Sequence, residues 1–143
     1  MPSIELTDEL RQKLLAEARA AAAKAYCPYS NFHVGAAILA DGKVFTGANV
    51  ENASYGLTTC AERTAAFAAV LAGHQHFQAV AVCCADVSPE QAREHPESLM
   101  PCGACRQLLA EFSDESTIFL VDQAGTYAFN ELMPHPFQLR QRT

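Results

Sequence analysis

Two short segments carry side chains that could do chemistry together: Cys60-Ala61-Glu62 and Pro101-Cys102-Gly103-Ala104-Cys105. Cys102 and Cys105 stand at i and i+3 where a helix is expected to begin, so both sulfurs face one way and can reach a single ion. Cys60 opens a second expected helix. Where two helix N-termini converge, their positive ends favour the thiolate form that binds metal. Three thiolates point to zinc rather than magnesium or calcium. A structural zinc site is closed by four protein ligands, whereas a catalytic one keeps its fourth position for water. Glu62, on the first turn after Cys60, suits that water better than it suits the metal. A carboxylate there can take a proton from water and hand it to a leaving group. Arg63 and Arg106 begin beside the ligands, and a guanidinium bonded to a thiolate would draw off some of its negative charge.

Plainer readings compete. The Cys-x-x-Cys pair could be a redox couple, but it follows a polar loop rather than the first strand of a βαβ unit. A closed structural site could recruit Cys27, Cys83, Cys84, His74 or His76. Cys83-Cys84 sits in an apolar strand run and reads as core; His74 and His76 follow a helix-ending glycine and read as a solvated turn. Six cysteines could also form three disulfides, an arrangement that a reducing compartment disfavours.

The surrounding pattern supplies elements to hold these residues. Leu6 to Ala25 repeats apolar residues at helical spacing, with Thr7 or Asp8 as cap and Pro28 as terminator. Val34 to Ala40 and Lys43 to Val50 read as strands joined by Asp41-Gly42, a two-residue hairpin signal. Glu51 to Thr59 reads as loop, Cys60 to Ala72 as helix stopped by Gly73, and Ala79 to Cys84 as a strand covered on both faces. Asp86 to Leu99 is polar, with room for a short helix. Pro101 to Phe112 is the next helix, Thr117 to Val121 and Thr126 to Phe129 are strands, and a terminal helix or coil follows. This order predicts an α/β fold: a three-layer α-β-α sandwich with one mixed sheet, in a single domain over residues 1–143.

Composition narrows the function classes. Half of the 143 residues are hydrophobic and 18% are charged, an ordinary globular balance. Ten basic against sixteen acidic residues give −6. With no basic run, nucleic acid and anionic membranes are poor partners. No apolar stretch is long enough to span a bilayer, and the acidic N-terminal region is unlike a secretion or transit signal, so the expected compartment is the cytoplasm.

The Cys60-Ala61-Glu62 and Pro101-to-Gln107 segments resemble the zinc-dependent cytidine deaminases, whose all-cysteine ligand variant and non-ligating glutamate are described chemistry. Ala25 to Ala37 is similar to that family's N-terminal block, Asn49 to Gly56 to its ribose-binding block, and Leu132-Met133-Pro134 with Phe137 to its C-terminal block. The resemblance spans about residue 10 to residue 137 and is nearest to the small, homotetrameric free-nucleoside enzymes with active sites shared between subunits. It implies one Zn²⁺ per subunit on Cys60, Cys102 and Cys105, with Glu62 catalytic. It implies stacking of the base on Phe32, ribose binding by Asn49 and Glu51, and backbone contacts to the base from Ala61. Tyr55 and Phe137 would serve pockets built across subunits, and Arg63 would be the cation on the thiolates. Two segments depart from the pattern: Ala85 to Met100 is longer than usual, and His135-Pro136 replaces smaller residues. The implied activity is hydrolysis of cytidine and 2′-deoxycytidine to the uridines and ammonia. A same-fold deaminase of a modified nucleoside or a cytosine-containing antibiotic, a polynucleotide editor and a zinc-stabilised interaction module are the alternatives.

Overall fold

A computed structural model describes residues 5–139. The helices are α1 (Asp8–Ala22), α2 (Ala61–Leu71), α3 (Pro89–Glu94), α4 (Gly103–Ala110) and α5 (Phe129–Leu132). The strands are β1 (Val34–Ala40), β2 (Lys43–Ala48), β3 (Phe77–Cys84), β4 (Ile118–Val121) and β5 (Gly125–Ala128). They form one five-stranded sheet in the order β2-β1-β3-β4-β5. Only the β3–β4 pair is parallel, with α4 on the crossover between them.

Strand alternation sends successive side chains to opposite faces. Ala37, Leu39, Ala79, Ala81 and Cys83 pack against Leu14 and Ala18 of α1. Ala36, Ile38, Val80, Val82 and Cys84 pack against Ala65, Ala66 and Ala69 of α2 and Leu109 of α4. The expected sandwich is therefore present. Asp41 and Gly42 both have positive φ (52° and 78°), as a tight primed hairpin turn requires. Gly47 of β2 is where α2 comes closest: a Cβ there would lie 2.3 Å from the Ala65 nitrogen and 2.8 Å from the Ala61 oxygen.

Thr7 caps α1, accepting from the Leu10 N–H at 3.2 Å. The helix stops at Ala22, well short of Pro28, because the chain is recruited elsewhere. The Tyr26 N–H donates to the Asn49 oxygen and the Glu51 N–H to the Tyr26 oxygen. Val50 bridges Tyr26 on one side and Thr59 on the other, so β2 ends at Ala48 rather than Val50. This crossing brings the 27–33 loop, the segment after β2 and the approach to Cys60 to one end of the molecule.

Candidate functional site

Cys60 is the N-cap of α2 and Cys102 the N-cap of α4. The two helices pack on the same sheet face and bring their N-termini together. Cys60, Cys102 and Cys105 place their sulfurs within 4.8 Å of one another. Cys60 Sγ lies 3.9 Å from Cys102 Sγ, which lies 3.5 Å from Cys105 Sγ. A tetrahedral zinc with bonds of ~2.3 Å to sulfur needs its sulfurs roughly 3.8 Å apart, so the donor set fits that ion in identity and spacing. Among the described residues no fourth Cys, His, Asp or Glu joins the group. Cys27, Cys83 and Cys84 are buried elsewhere, and burial pushes the Cys83 thiol up to about 12. His74 pairs with Asp41 and His76 with Asp114.

The sulfurs share their protons unequally. Hydrogen bonding from Cys105 is the largest cause lowering the Cys60 thiol, and Arg63 lowers it further; Cys105 is correspondingly raised. The Arg63 guanidinium donates to Cys60 Sγ at 3.5 Å and to the Thr58 carbonyl at 3.2 Å. Arg106 instead donates to the carbonyls of Pro101 (2.9 Å) and Leu132 (2.6 Å), tying α5 to the start of α4. Of the two arginines flanking the ligands, only Arg63 bonds to a sulfur.

Glu62 is 5% exposed. Burial raises its carboxyl to about 7, with the neighbouring Cys60 charge a smaller contribution. It lines a cavity of about 530 Å³ together with Cys60, Cys102, Ala61, Phe32, Asn49 and Glu51. Cys105 lies behind the wall, fully buried. Phe32 presents its ring from a loop turned by Asn31, whose φ of 58° is the left-handed conformation that asparagine tolerates. Asn49 accepts from the Val34 N–H at 3.0 Å and donates to the Phe32 carbonyl at 2.8 Å. Glu51 accepts from the Tyr29 and Ser30 N–H groups and from the Ser30 hydroxyl. Both polar residues therefore brace the loop as well as facing the cavity.

Tyr55 and Phe137 are not among the lining residues and are exposed by 77% and 68%. Tyr55 packs edge-on against Tyr29, and the Phe137 carbonyl accepts from Gln107. A single chain does not bring these two side chains to the site. Conversely, Ser30, Thr58, Ser98, Leu99 and Met100 line the cavity with no role assigned from sequence. The last three close the long segment after β3, which folds as α3, capped reciprocally by Ser88 and Gln91, and a 3₁₀ turn. Asp86 fixes its start by accepting from the His33 N–H.

Comparison with known proteins agrees with this geometry. The family described as the cytidine and deoxycytidylate deaminase zinc-binding region matches residues 8–121. The cytidine deaminase of Sporosarcina psychrophila is 46% identical over 116 residues, covering 80% of this chain and 79% of its own. That of Mycobacterium tuberculosis is 43% identical over 127 residues, 88% of each chain. Its crystal structure superposes with a TM-score of 0.76 at 38% identity, covering 93% of this chain and 99% of that one. The cytidine deaminase structure from Burkholderia pseudomallei gives 0.74 at 44% identity, over 88% and 98%. With a matched region that takes in α1, both cysteine-bearing segments and the sheet through β4, the chain belongs to the cytidine and deoxycytidylate deaminase zinc-binding family.

Proposed function

We propose that this protein, as a single domain over residues 1–143, hydrolyses cytidine and 2′-deoxycytidine to uridine or 2′-deoxyuridine and ammonia, in pyrimidine salvage. The observation that carries the reading is a buried carboxyl, Glu62, beside three clustered sulfurs in a nucleoside-sized cavity. Cys60, Cys102 and Cys105 would hold one Zn²⁺ at the wall of the cavity that Glu62 lines. Held there, the ion would supply a water of lowered pKa as the nucleophile. Glu62 takes one proton of the attacking water and delivers it to the pyrimidine N3 as C4 is attacked, then takes the second proton from the new C4 hydroxyl and delivers it to the departing amine, which leaves as ammonia while the C4 oxygen becomes the carbonyl of uridine. A carboxyl raised by burial can both accept and donate in one cycle. Phe32 stacks on the base and the Ala61 backbone borders it, while Asn49 and Glu51 receive the sugar hydroxyls.

The same reading includes assembly into a homotetramer in the cytoplasm, with Tyr55 and Phe137 completing sites of neighbouring subunits. Phe67 and Leu71, one helical turn apart on α2, are 46% and 88% exposed. An apolar stripe of that kind favours association with another copy. No described helix is long and apolar enough to cross a membrane.

The deciding experiment follows cytidine loss by ultraviolet absorbance, with metal analysis on the same samples. Wild type should convert cytidine. Glu62→Gln should retain zinc and lose activity by ~10² or more, the scale of a lost general acid–base. Absence of turnover in wild type, or substantial turnover in the variant, refutes the assignment.

A further inference from the structure

We propose that Ser30 is a positioning residue for the sugar end of the cavity, selecting the Glu51 oxygen left to accept a substrate hydroxyl while holding Phe32 in place. The inference rests on the nucleoside reading above and concerns a residue which that reading leaves without a role.

A carboxylate offers about four acceptor positions, two on each oxygen. Glu51 Oε1 accepts the N–H groups of Tyr29 and Ser30, both at 3.1 Å, which fills it. Among the described residues, Oε2 accepts only the Ser30 hydroxyl. One position therefore remains, on Oε2, beside the serine. The serine hydroxyl has a single hydrogen and commits it to Glu51, so its lone pair is free to accept. It accepts the Phe32 N–H at 3.0 Å. The order of donation is thereby fixed, from the Phe32 amide to Ser30 Oγ to Glu51 Oε2, and successive bonds in such a chain polarise one another. The carbonyl of the same Phe32 accepts from Asn49 at 2.8 Å. Both backbone polar groups of the aromatic residue are thus held by side chains that also line the cavity. Removing Ser30 Oγ releases one of those grips and leaves Oε2 without its locator. The Oε1 contacts remain, so Glu51 stays nearby but free to turn.

The test compares Ser30→Ala and Ser30→Thr with wild type, all zinc-loaded and full length, on cytidine and on 2′,3′-dideoxycytidine. Uridine affinity is measured by calorimetry alongside. Ser30→Ala should raise the KM for cytidine and the Kd for uridine by ~10-fold, the scale of one charge-assisted hydrogen bond, with kcat within ~3-fold. Ser30→Thr keeps the hydroxyl and should restore both values. On the dideoxy substrate, which lacks the 2′- and 3′-hydroxyls that Oε2 would accept, the Ser30→Ala penalty should shrink to ~3-fold or less. An equal penalty on both substrates, an unchanged KM, or a loss that Thr does not restore overturns the proposal. Wild type that binds cytidine without deaminating it would refute the proposed function and leave Ser30 testable through Kd. Failure to bind cytidine would refute both.

Discussion

Gly47→Ala should displace the start of α2, where Cys60 and Glu62 stand, without altering any residue that faces the cavity. The added Cβ would sit 2.3 Å from the Ala65 nitrogen and 2.8 Å from the Ala61 oxygen. Both are backbone atoms, so no side-chain rotation relieves the contact. Ordinary contact begins at 3.4 Å, so α2 and β2 must part by about 1.1 Å (3.4 − 2.3). Thr64, whose hydroxyl donates to the Ala48 carbonyl at 2.7 Å, resists that separation. Overpacking of this kind costs ~1–3 kcal/mol, or roughly 3–15 °C in Tm for a domain of this size. Because α2 carries Glu62 and begins at Cys60, the shift moves both relative to Cys102 and Cys105 on α4. A displacement of ~1 Å at a reacting group costs ~10² in rate. Circular-dichroism melts, zinc content and kcat/KM on cytidine report the three consequences separately. Gly56→Ala, where nothing lies within 4 Å of the added Cβ, is the control for Tm. A Gly47→Ala protein that melts with wild type and keeps full activity would refute the claim that this contact sets the position of α2.

Arg63→Gln should retain zinc but lose ~10–100-fold in turnover, the range seen when partners of metal ligands are removed. Metal analysis beside the activity assay checks it, and unchanged turnover would mean that the helix N-termini alone balance the thiolate charge. Asp114 supplies a pH test. Hydrogen bonds from Ser116, and next His76, hold its carboxyl down from 3.8 to about 2. A depressed carboxyl stabilises the fold above its unfolded pKa and loses that contribution as pH falls through the folded one. The shift would be worth ~2 kcal/mol if buried; with the side chain half exposed, about 1 kcal/mol or less survives screening. Urea melts should show Asp114→Asn less stable than wild type at pH 7, with the gap closing between pH 4 and 2. A gap that stays constant across that range would contradict the assignment.

The grouping of the three cysteines with Glu62 was legible in the sequence because its spacing is local. Cys-x-Glu and Cys-x-x-Cys each lie on one helix start, and a helix start fixes the direction of its first side chains. The sheet was legible for the same reason: alternation, the Asp41-Gly42 turn and Gly73 are short-range signals. Helix and strand ends were less so, since α1 and β2 stop where Tyr26, Val50 and Thr59 cross, a contact between segments far apart in sequence. Spacing alone does not separate Arg63 from Arg106, and the choice of Arg63 comes from the family resemblance. Arg63 follows Glu62 and Arg106 follows Cys105, and packing sends the first to a sulfur and the second to two carbonyls. Ser30 escaped notice because its partner, Glu51, is 21 residues away. Tyr55 and Phe137, placed at the site by resemblance, lie outside the cavity in one chain, and their proposed role rests on an assembly that a single chain does not contain.

Cys60 and Cys102 also occupy positions where helices ordinarily prefer Ser, Thr, Asp or Asn, and neither side chain accepts from a backbone N–H of its own first turn. A conventional cap contributes ~1 kcal/mol to a helix, so the fold forgoes that stabilisation at two helix starts where sulfur is retained instead. Selection for stability alone would favour serine at both positions, and selection for thiolate chemistry opposes it. The contrast with Thr7 and Ser88, which do cap α1 and α3, marks α2 and α4 as the helices whose beginnings carry clustered sulfur in place of a cap.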